Sequence, residues 1–300
     1  MKILVTGANG LLGQKLVFLL SENKSVDLYA TSRGTSRIDN MPANCSYHAL
    51  DLTDRDGVLR LVSDIGPDCI IHTAGLTLVD VCETDPEQSD LHNVTVVKNL
   101  IEACHVVDCH LVHLSTDFIF SGEDGPYREG DTPGPVNYYG ECKLRAEELV
   151  KASGLQWAIA RTILVYGLAP GMSRSNIVLW VKKSLEEGKE IKVVTDQLRT
   201  PTLAEDLAEG CALIAQQGAT GVYHLGGADA LTPYEVATHT ARFFGLPEEL
   251  VQKADSSNFT QPAKRPPRTG LVIDKARTEL GYDPGSFEEG LAVMGKQLKA

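Results

Sequence analysis

The chain has 300 residues, 43% of them hydrophobic and 23% charged, with a formal net charge of −12. That describes a globular protein of one large or two modest domains, and the acidity argues against nucleic acid as the main partner, because phosphate backbones are met by basic faces. A small phosphate ligand stays open, since a few amides and arginines suffice for it. No run of about 18 apolar residues is present, so no membrane span is expected. The first apolar stretch is too short for a secretory signal and leads straight into a glycine loop, so a cytoplasmic location is the expectation. The seven cysteines are odd in number and never spaced Cys-x-x-Cys, which predicts reduced thiols and no structural metal.

In chain order, β-type apolar runs fall at residues 2–6, 27–31, 46–50, 69–73, 110–115 and 157–162. Amphipathic helical patterns lie between them at 11–21, 55–64, 88–107 and 138–152. The alternation predicts an α/β fold, with right-handed crossovers joining a parallel sheet covered by helices on both faces. The runs around Ile70 and Leu111 are nearly all apolar, as doubly covered strands require. After about residue 165 the rhythm loosens. Residues 167–175 read as a loop, 176–187, 203–216 and 233–244 as helices, and the basic, proline-rich stretch 262–268 as another loop.

The first strand runs into Gly7-Ala8-Asn9-Gly10-Leu11-Leu12-Gly13 and then a helix. Gly7 suits a tight turn, Gly10 lets backbone approach a pyrophosphate, and Gly13 lets the helix sit close to the sheet. The helix start, at Leu11 and Leu12, offers free N–H groups and the positive end of a dipole. This placement predicts a doubly wound Rossmann fold holding a dinucleotide, with 1–165 as the cofactor-binding domain. Residues 166–300 then form a smaller, mainly substrate-binding region with some segments returning to the core. The second strand ends in Ser32-Arg33 with no carboxylate to take a ribose 2′-hydroxyl, which favours NADP(H). NAD(H) stays open. Asp51 and Leu52, after the third strand, face the expected adenine position.

Tyr139 and Lys143 are four residues apart in a predicted helix and so share one face. An ammonium beside a phenol favours the phenolate and brings it toward the working range of a general acid/base. One strand earlier, Leu114-Ser115-Thr116-Asp117-Phe118 stands where an apolar strand ends, the edge at which open α/β sheets bind ligands. A hydroxyl there suits a substrate carbonyl; the plainer role is a turn cap. The histidines, His72 and His113 included, lack metal spacing and read as strand and surface residues. Trp157 and Trp180 read as packing residues.

Together these motifs resemble the extended short-chain dehydrogenase/reductases, and more closely the dTDP-4-dehydrorhamnose reductase family, over almost the whole chain. The likeness rests on the glycine loop, on Thr73-Ala74-Gly75, and on Thr77-Leu-Val79-Asp80-Val-Cys-Glu83. It continues in Ser115-Thr116-Asp117-Phe118-Ile-Phe-Ser-Gly122, in Asn137-Tyr-Tyr139-Gly140 through Lys143, in Asp196-Gln197-Leu-Arg199-Thr-Pro201-Thr202, and in Arg265-Pro266-Pro-Arg268. It implies catalysis by Thr116, Tyr139 and Lys143 in NADPH-dependent reduction of the C4 ketone of a nucleotide-linked deoxysugar, the chemistry of dTDP-rhamnose biosynthesis. Thr73, Ala74 and Gly75 then pass the nicotinamide ribose, which Lys143 also holds. Thr77, Asp117 and Phe118 face the substrate, and Arg199 and Arg265 are candidates for its phosphates, with loop salt bridges as the plainer role. Two positions depart from the pattern. Phe118 stands where the family usually has Tyr, and His72-Thr73-Ala74-Gly75 replaces an Asn-Ala-Ala-Ala run. The resemblance leaves a homodimer open.

Three other activities compete. A 4,6-dehydratase needs acid/base residues after the Thr, and Phe118 is not one. An epimerase uses the same Tyr/Lys pair with a retained cofactor. A regulatory, NADP-binding role without turnover is known among relatives of this family, here set against a complete set of competent catalytic residues.

Overall fold

The structure is a computed structural model and describes residues 1–172 and 175–299; within the loop read at 167–175, residues 173 and 174 lie outside the described residues. The first half runs β1 (Lys2–Thr6), α1 (Leu11–Ser21), β2 (Asp27–Ser32), β3 (Cys45–Ala49), α2 (Arg55–Ile65) and β4 (Cys69–His72). Then come α3 (Val79–Thr84), α4 (Pro86–Asp90), a π-helical turn (Leu91–Thr95), α5 (Val96–Val107), β5 (His110–Thr116), α6 (Tyr138–Lys151) and β6 (Trp157–Thr162). The second half adds β7 (Val165–Tyr166), α7 (Ile177–Glu186), β8 (Ile191–Val194), β9 (Thr202–Leu203), α8 (Ala204–Gln217) and β10 (Gly221–His224). It closes with α9 (Pro233–Phe243), β11 (Val251–Ala254), α10 (Asp274–Leu280) and α11 (Phe287–Gln297).

The central sheet has seven strands in the order β3-β2-β1-β4-β5-β6-β10, and every neighbouring pair is parallel. This is the doubly wound Rossmann arrangement, with its switch point between β1 and β4. Strand periodicity divides the core. Ile3 and Val5 pack with Leu16, Leu20 and α8 on one face, while Leu4 packs with Ile70, Val97 and Val150 on the other.

Three features differ from the sequence reading. The helix expected at 88–107 is three pieces, α4, the π turn and α5. The run starts early because Asp85 caps it through Gln88 N and Pro86 occupies its first turn. The π turn then inserts an extra residue into the helical ladder and faces His92 and Asn93 toward the cleft described below. The seventh strand, β10, is four residues long, too short for periodicity to reveal. The second half also builds a small parallel pair, β8 with β11, whose apolar residues pack under α7 and α9. By contrast α8 lies against α1 and α10, on the layer that covers the central sheet.

Candidate active site

A cleft of about 1170 Å³ opens along the C-terminal edge of the sheet. One end is built by the β1–α1 turn. Gly7 has φ +69, and a Cβ on it would stand 2.7 Å from Ala74 N; a Cβ on Gly13 would stand 2.3 Å from Gly7 O. Side chains at either position would collide with the backbone that shapes the turn. Gly10 caps α1 without any side-chain hydrogen bond, so the first-turn amides of Leu11, Leu12 and Gly13 have no helical partner and all three residues line the cleft. The side chain of Asn9, read from sequence as a cofactor contact, pins the loop after β2: it donates to Thr35 O at 3.0 Å and accepts from Arg37 N at 2.8 Å. Ser32, Arg33 and Arg37 therefore form the wall beside the glycine loop. Asp51 and Leu52 line the same end. Burial would raise the Asp51 carboxyl, but hydrogen bonds from Thr53 and the Arg33 charge hold it below its usual range. His92 stands near both charges, and burial with Arg33 lowers its pKa.

The other end gathers the C-termini of β4, β5 and β6 with the start of α6. Thr73 donates to Thr6 O at 2.7 Å, and Asn93 accepts from Leu76 N at 3.0 Å, which shapes the Thr73–Gly75 turn. Helix α6 begins at Asn137, whose side chain caps Gly140 N, while Glu83 accepts from Tyr138 N at 2.9 Å. A Cβ on Gly140 would stand 2.2 Å from Phe118 O. That close approach sets Tyr139 beside residues 116–118, its ring edge-on to Phe118 at 5.9 Å. Thr116, Asp117, Phe118, Tyr139 and Lys143 all line this end, as do Thr77, Ile163, Leu164, Ile177 and Trp180.

The charges here are buried. Lys143 donates to Leu114 O at 2.6 Å and meets His113 Nε2 at 3.3 Å; burial lowers its pKa to about 8. Thr116 Oγ1 accepts from Phe118 N, so it caps the short turn after β5, and donates to Asp117 at 3.1 Å. Burial raises the Asp117 carboxyl, opposed by the Arg199 charge and by hydrogen bonds from Thr269 and Thr116. Ser115, also on the wall, commits its hydroxyl to Glu147 at 2.6 Å.

Arg199 and Arg265, read from sequence as candidate phosphate ligands, do not reach the cleft wall. Arg199 donates to the carbonyls of Leu198, Pro266 and Pro267. Arg265 forms a forked pair with Asp80, one arm 2.8 Å long. Arg265 thereby ties its loop to α3 by a salt bridge, the plainer of the two roles weighed above, whereas Arg199 holds the same loop through its carbonyls. Sequence reasoning passed over Arg37, His92 and Asn93, and gave His113 only a strand or surface role and Trp180 a packing role. A basic residue four positions past Arg33 was a usable signal for the first; strand register alone places His113.

Residues 1–300 match the family described as RmlD substrate binding domain. The chain belongs to that family. It is 32% identical over 294 residues, 97% of this chain and 96% of the other, to the probable low-salt glycan biosynthesis reductase Agl14 of Haloferax volcanii. It is 30% identical over 282 residues, 92% of this chain and 82% of the other, to methionine adenosyltransferase 2 subunit beta of Pongo abelii. Among solved structures, dTDP-4-dehydrorhamnose reductase of Bacillus anthracis in complex with NADP superposes with a TM-score of 0.84 at 27% identity, covering 99% of each chain. Among the described residues of this RmlD-family chain no helix is long and apolar enough to cross a membrane, and no cluster of His, Cys, Asp and Glu is arranged to hold a metal.

Proposed function

We propose that the protein is an NADP(H)-dependent oxidoreductase that reduces the 4-keto group of a nucleotide-linked deoxysugar, with Tyr139 as proton donor. The observation that carries this reading is one cleft with a side-chain-free glycine cradle at one end and Thr116, Tyr139 and Lys143 on the wall at the other. The residues fit a dinucleotide. First-turn amides of α1 suit the pyrophosphate, Ser32 and Arg33 with Arg37 a 2′-phosphate, Asp51 and Leu52 the adenine, and Thr73–Gly75 the nicotinamide ribose. NADPH, when bound, supplies the hydride. The chain supplies the proton and the orientation. Thr116 turns its hydroxyl proton from Asp117 to the substrate carbonyl, and Tyr139 gives its phenolic proton to the same oxygen as that oxygen gains charge. The Lys143 ammonium stabilises the phenolate left behind. Asp117 and Phe118 border the sugar. A homodimer and a cytoplasmic setting belong to the same reading.

The test is NADPH oxidation with a panel of dTDP-4-dehydro-6-deoxyhexoses. Tyr139→Phe is expected to lower turnover at least about a hundredfold while NADPH affinity is nearly kept; an equally fast variant removes Tyr139 as donor. The likeness to methionine adenosyltransferase 2 subunit beta supports a second reading, an NADP-binding regulatory subunit. It is favoured if the parent turns over nothing in the panel yet binds NADPH tightly and retains a protein partner in pull-down.

A further inference from the structure

Thr6, His72 and His113 sit on three neighbouring strands at one lateral level: Thr6 of β1 pairs with His72 of β4, which pairs with His113 of β5. Their side chains form a polar row at the end of a sheet whose adjacent residues, Ile70, Ile71, Leu111 and Val112, are apolar. Thr6 Oγ1 lies 2.7 Å from His72 Nδ1. The two imidazoles stack with centroids 5.5 Å apart and planes 26° from parallel. His113 Nε2 lies 3.3 Å from Lys143 Nζ. Thr6 and His113 are 0% exposed, His72 2% and Lys143 6%. Two polar rings on inner strands of a doubly covered sheet are costly to bury, and His113 Nδ1 has no hydrogen-bond partner. A ring that only filled space at this site would be better replaced by an apolar one.

We propose that His113, held in place by its stack on His72, is a positioning residue for Lys143: its neutral Nε2 accepts one ammonium N–H and Leu114 O a second, leaving the third for the cleft. The inference rests on the reading of Tyr139 and Lys143 given above. Burial holds both imidazoles far below the ordinary histidine range, His72 at about 3, so neither adds a positive charge beside the ammonium. The titratable groups acting on Lys143 are Cys142 and Glu147 from its own helix, His113 from β5 and His72 from β4, with Tyr139 one turn earlier on the same helix face; desolvation opposes the ammonium, and Glu147 and Cys142 favour it. An acceptor at 3.3 Å therefore bears directly on how much of Lys143 stays charged. Without it the ammonium is less stable, so the lysine pKa falls. The alkaline limb of the reduction, where the ammonium that supports proton donation by Tyr139 is lost, then moves to lower pH.

The test compares His113→Leu, which removes the acceptor, His113→Asn, which is polar but too short to reach Nζ, and His113→Gln, which reaches it. Two readouts are used. One is the pH profile of kcat for NADPH oxidation. The other is the titration of Lys143 by NMR of the lysine-labelled whole protein, its signal identified by its loss in Lys143→Met. Leu and Asn are expected to lower kcat about tenfold with little change in KM and to move the Lys143 midpoint down by roughly half a pH unit or more. Gln is expected to restore most of both. Should the Leu variant not fold, the Asn and Gln pair decides. The proposal is overturned if the Lys143 midpoint is the same in Asn, Gln and parent, or if all variants lose stability and activity alike. If the parent reduces no keto-sugar nucleotide, the reductase reading falls, while the NMR titration still decides the link between His113 and Lys143.

Discussion

Gly13 and Gly10 occupy the same loop, yet the backbone treats them differently. A Cβ at Gly13 would meet Gly7 O at 2.3 Å and Ala8 Cα at 2.7 Å, whereas at Gly10 the nearest atom, Gly7 O, lies at 3.2 Å. Backbone cannot move aside as a flexible side chain can, so Gly13→Ala must shift either the turn or α1. We expect it to cost about 1–3 kcal/mol of stability and to weaken NADPH binding well beyond the effect of Gly10→Ala; thermal melts with and without NADPH measure both. Equal behaviour of the two variants contradicts the close approach on which the cradle depends. Single residues were legible where their role follows from spacing along the chain. Gly7, Gly10 and Gly13, and Tyr139 with Lys143, are separated by fixed steps that a turn and a helix convert into geometry. His113 was not legible, because its neighbour Lys143 is 30 residues away and is brought to it by packing of α6 on β5. Nor were Arg199 and Arg265, since a loop arginine in sequence looks the same whether it faces a phosphate or a row of carbonyls.

At the scale of elements, the site depends on how α6 is held. Its N-terminus is fixed by the Asn137 cap and by Glu83, and its middle by Glu147, which is 0% exposed. That carboxylate accepts from Ser115 of β5 at 2.6 Å and from Arg161 of β6 at 2.7 and 2.9 Å. Burial acts to raise the Glu147 pKa, but the Arg161 hydrogen bonds and charge, with Ser115 and Lys151, hold it below the usual carboxylate value. A carboxyl depressed on folding stabilises the native state above its unfolded pKa, and that contribution is lost as pH falls through the lower, folded one. Glu147→Gln leaves Arg161 buried without a counter-charge and is expected to cost about 3–5 kcal/mol at neutral pH. It should also flatten the acid limb of the stability profile. Urea unfolding at several pH values checks this; a variant as stable as the parent at pH 7 with an unchanged acid limb is the contrary result. The long elements were readable because apolar residues recur at the strand or helix period over enough positions. The break of 88–107 into α4, a π turn and α5 was not, because Leu91, Val94, Val97 and Ile101 keep a helical spacing while the ladder changes.

At the scale of the whole molecule, the two halves share one core. β10, from residues 221–224, hydrogen-bonds to β6 as the outer strand of the central sheet. Leu207 and Ile214 of α8 are 0% exposed and pack with Leu16 and Leu20 of α1. The sequence pointed to segments returning to the first half without naming them, since a four-residue strand carries almost no pattern and an α-helix does not announce which layer it joins. A fragment of residues 1–165 keeps the glycine loop, Thr116, Tyr139 and Lys143, but loses α8 and β10. The apolar face of α1 would be opened to water, as would the β6 edge, a template for unwanted pairing. Such a fragment is expected to bind a hydrophobic dye, to associate on size exclusion and to melt without a cooperative transition, whereas the full chain melts cooperatively. A soluble monomeric fragment with a sharp melt and measurable NADPH binding would show instead that the first half folds independently and that the returning segments are an addition to it. On the proposed reading the motifs of the first 165 residues supply the chemistry, and residues 204–224 complete the layer and the sheet against which those motifs are packed.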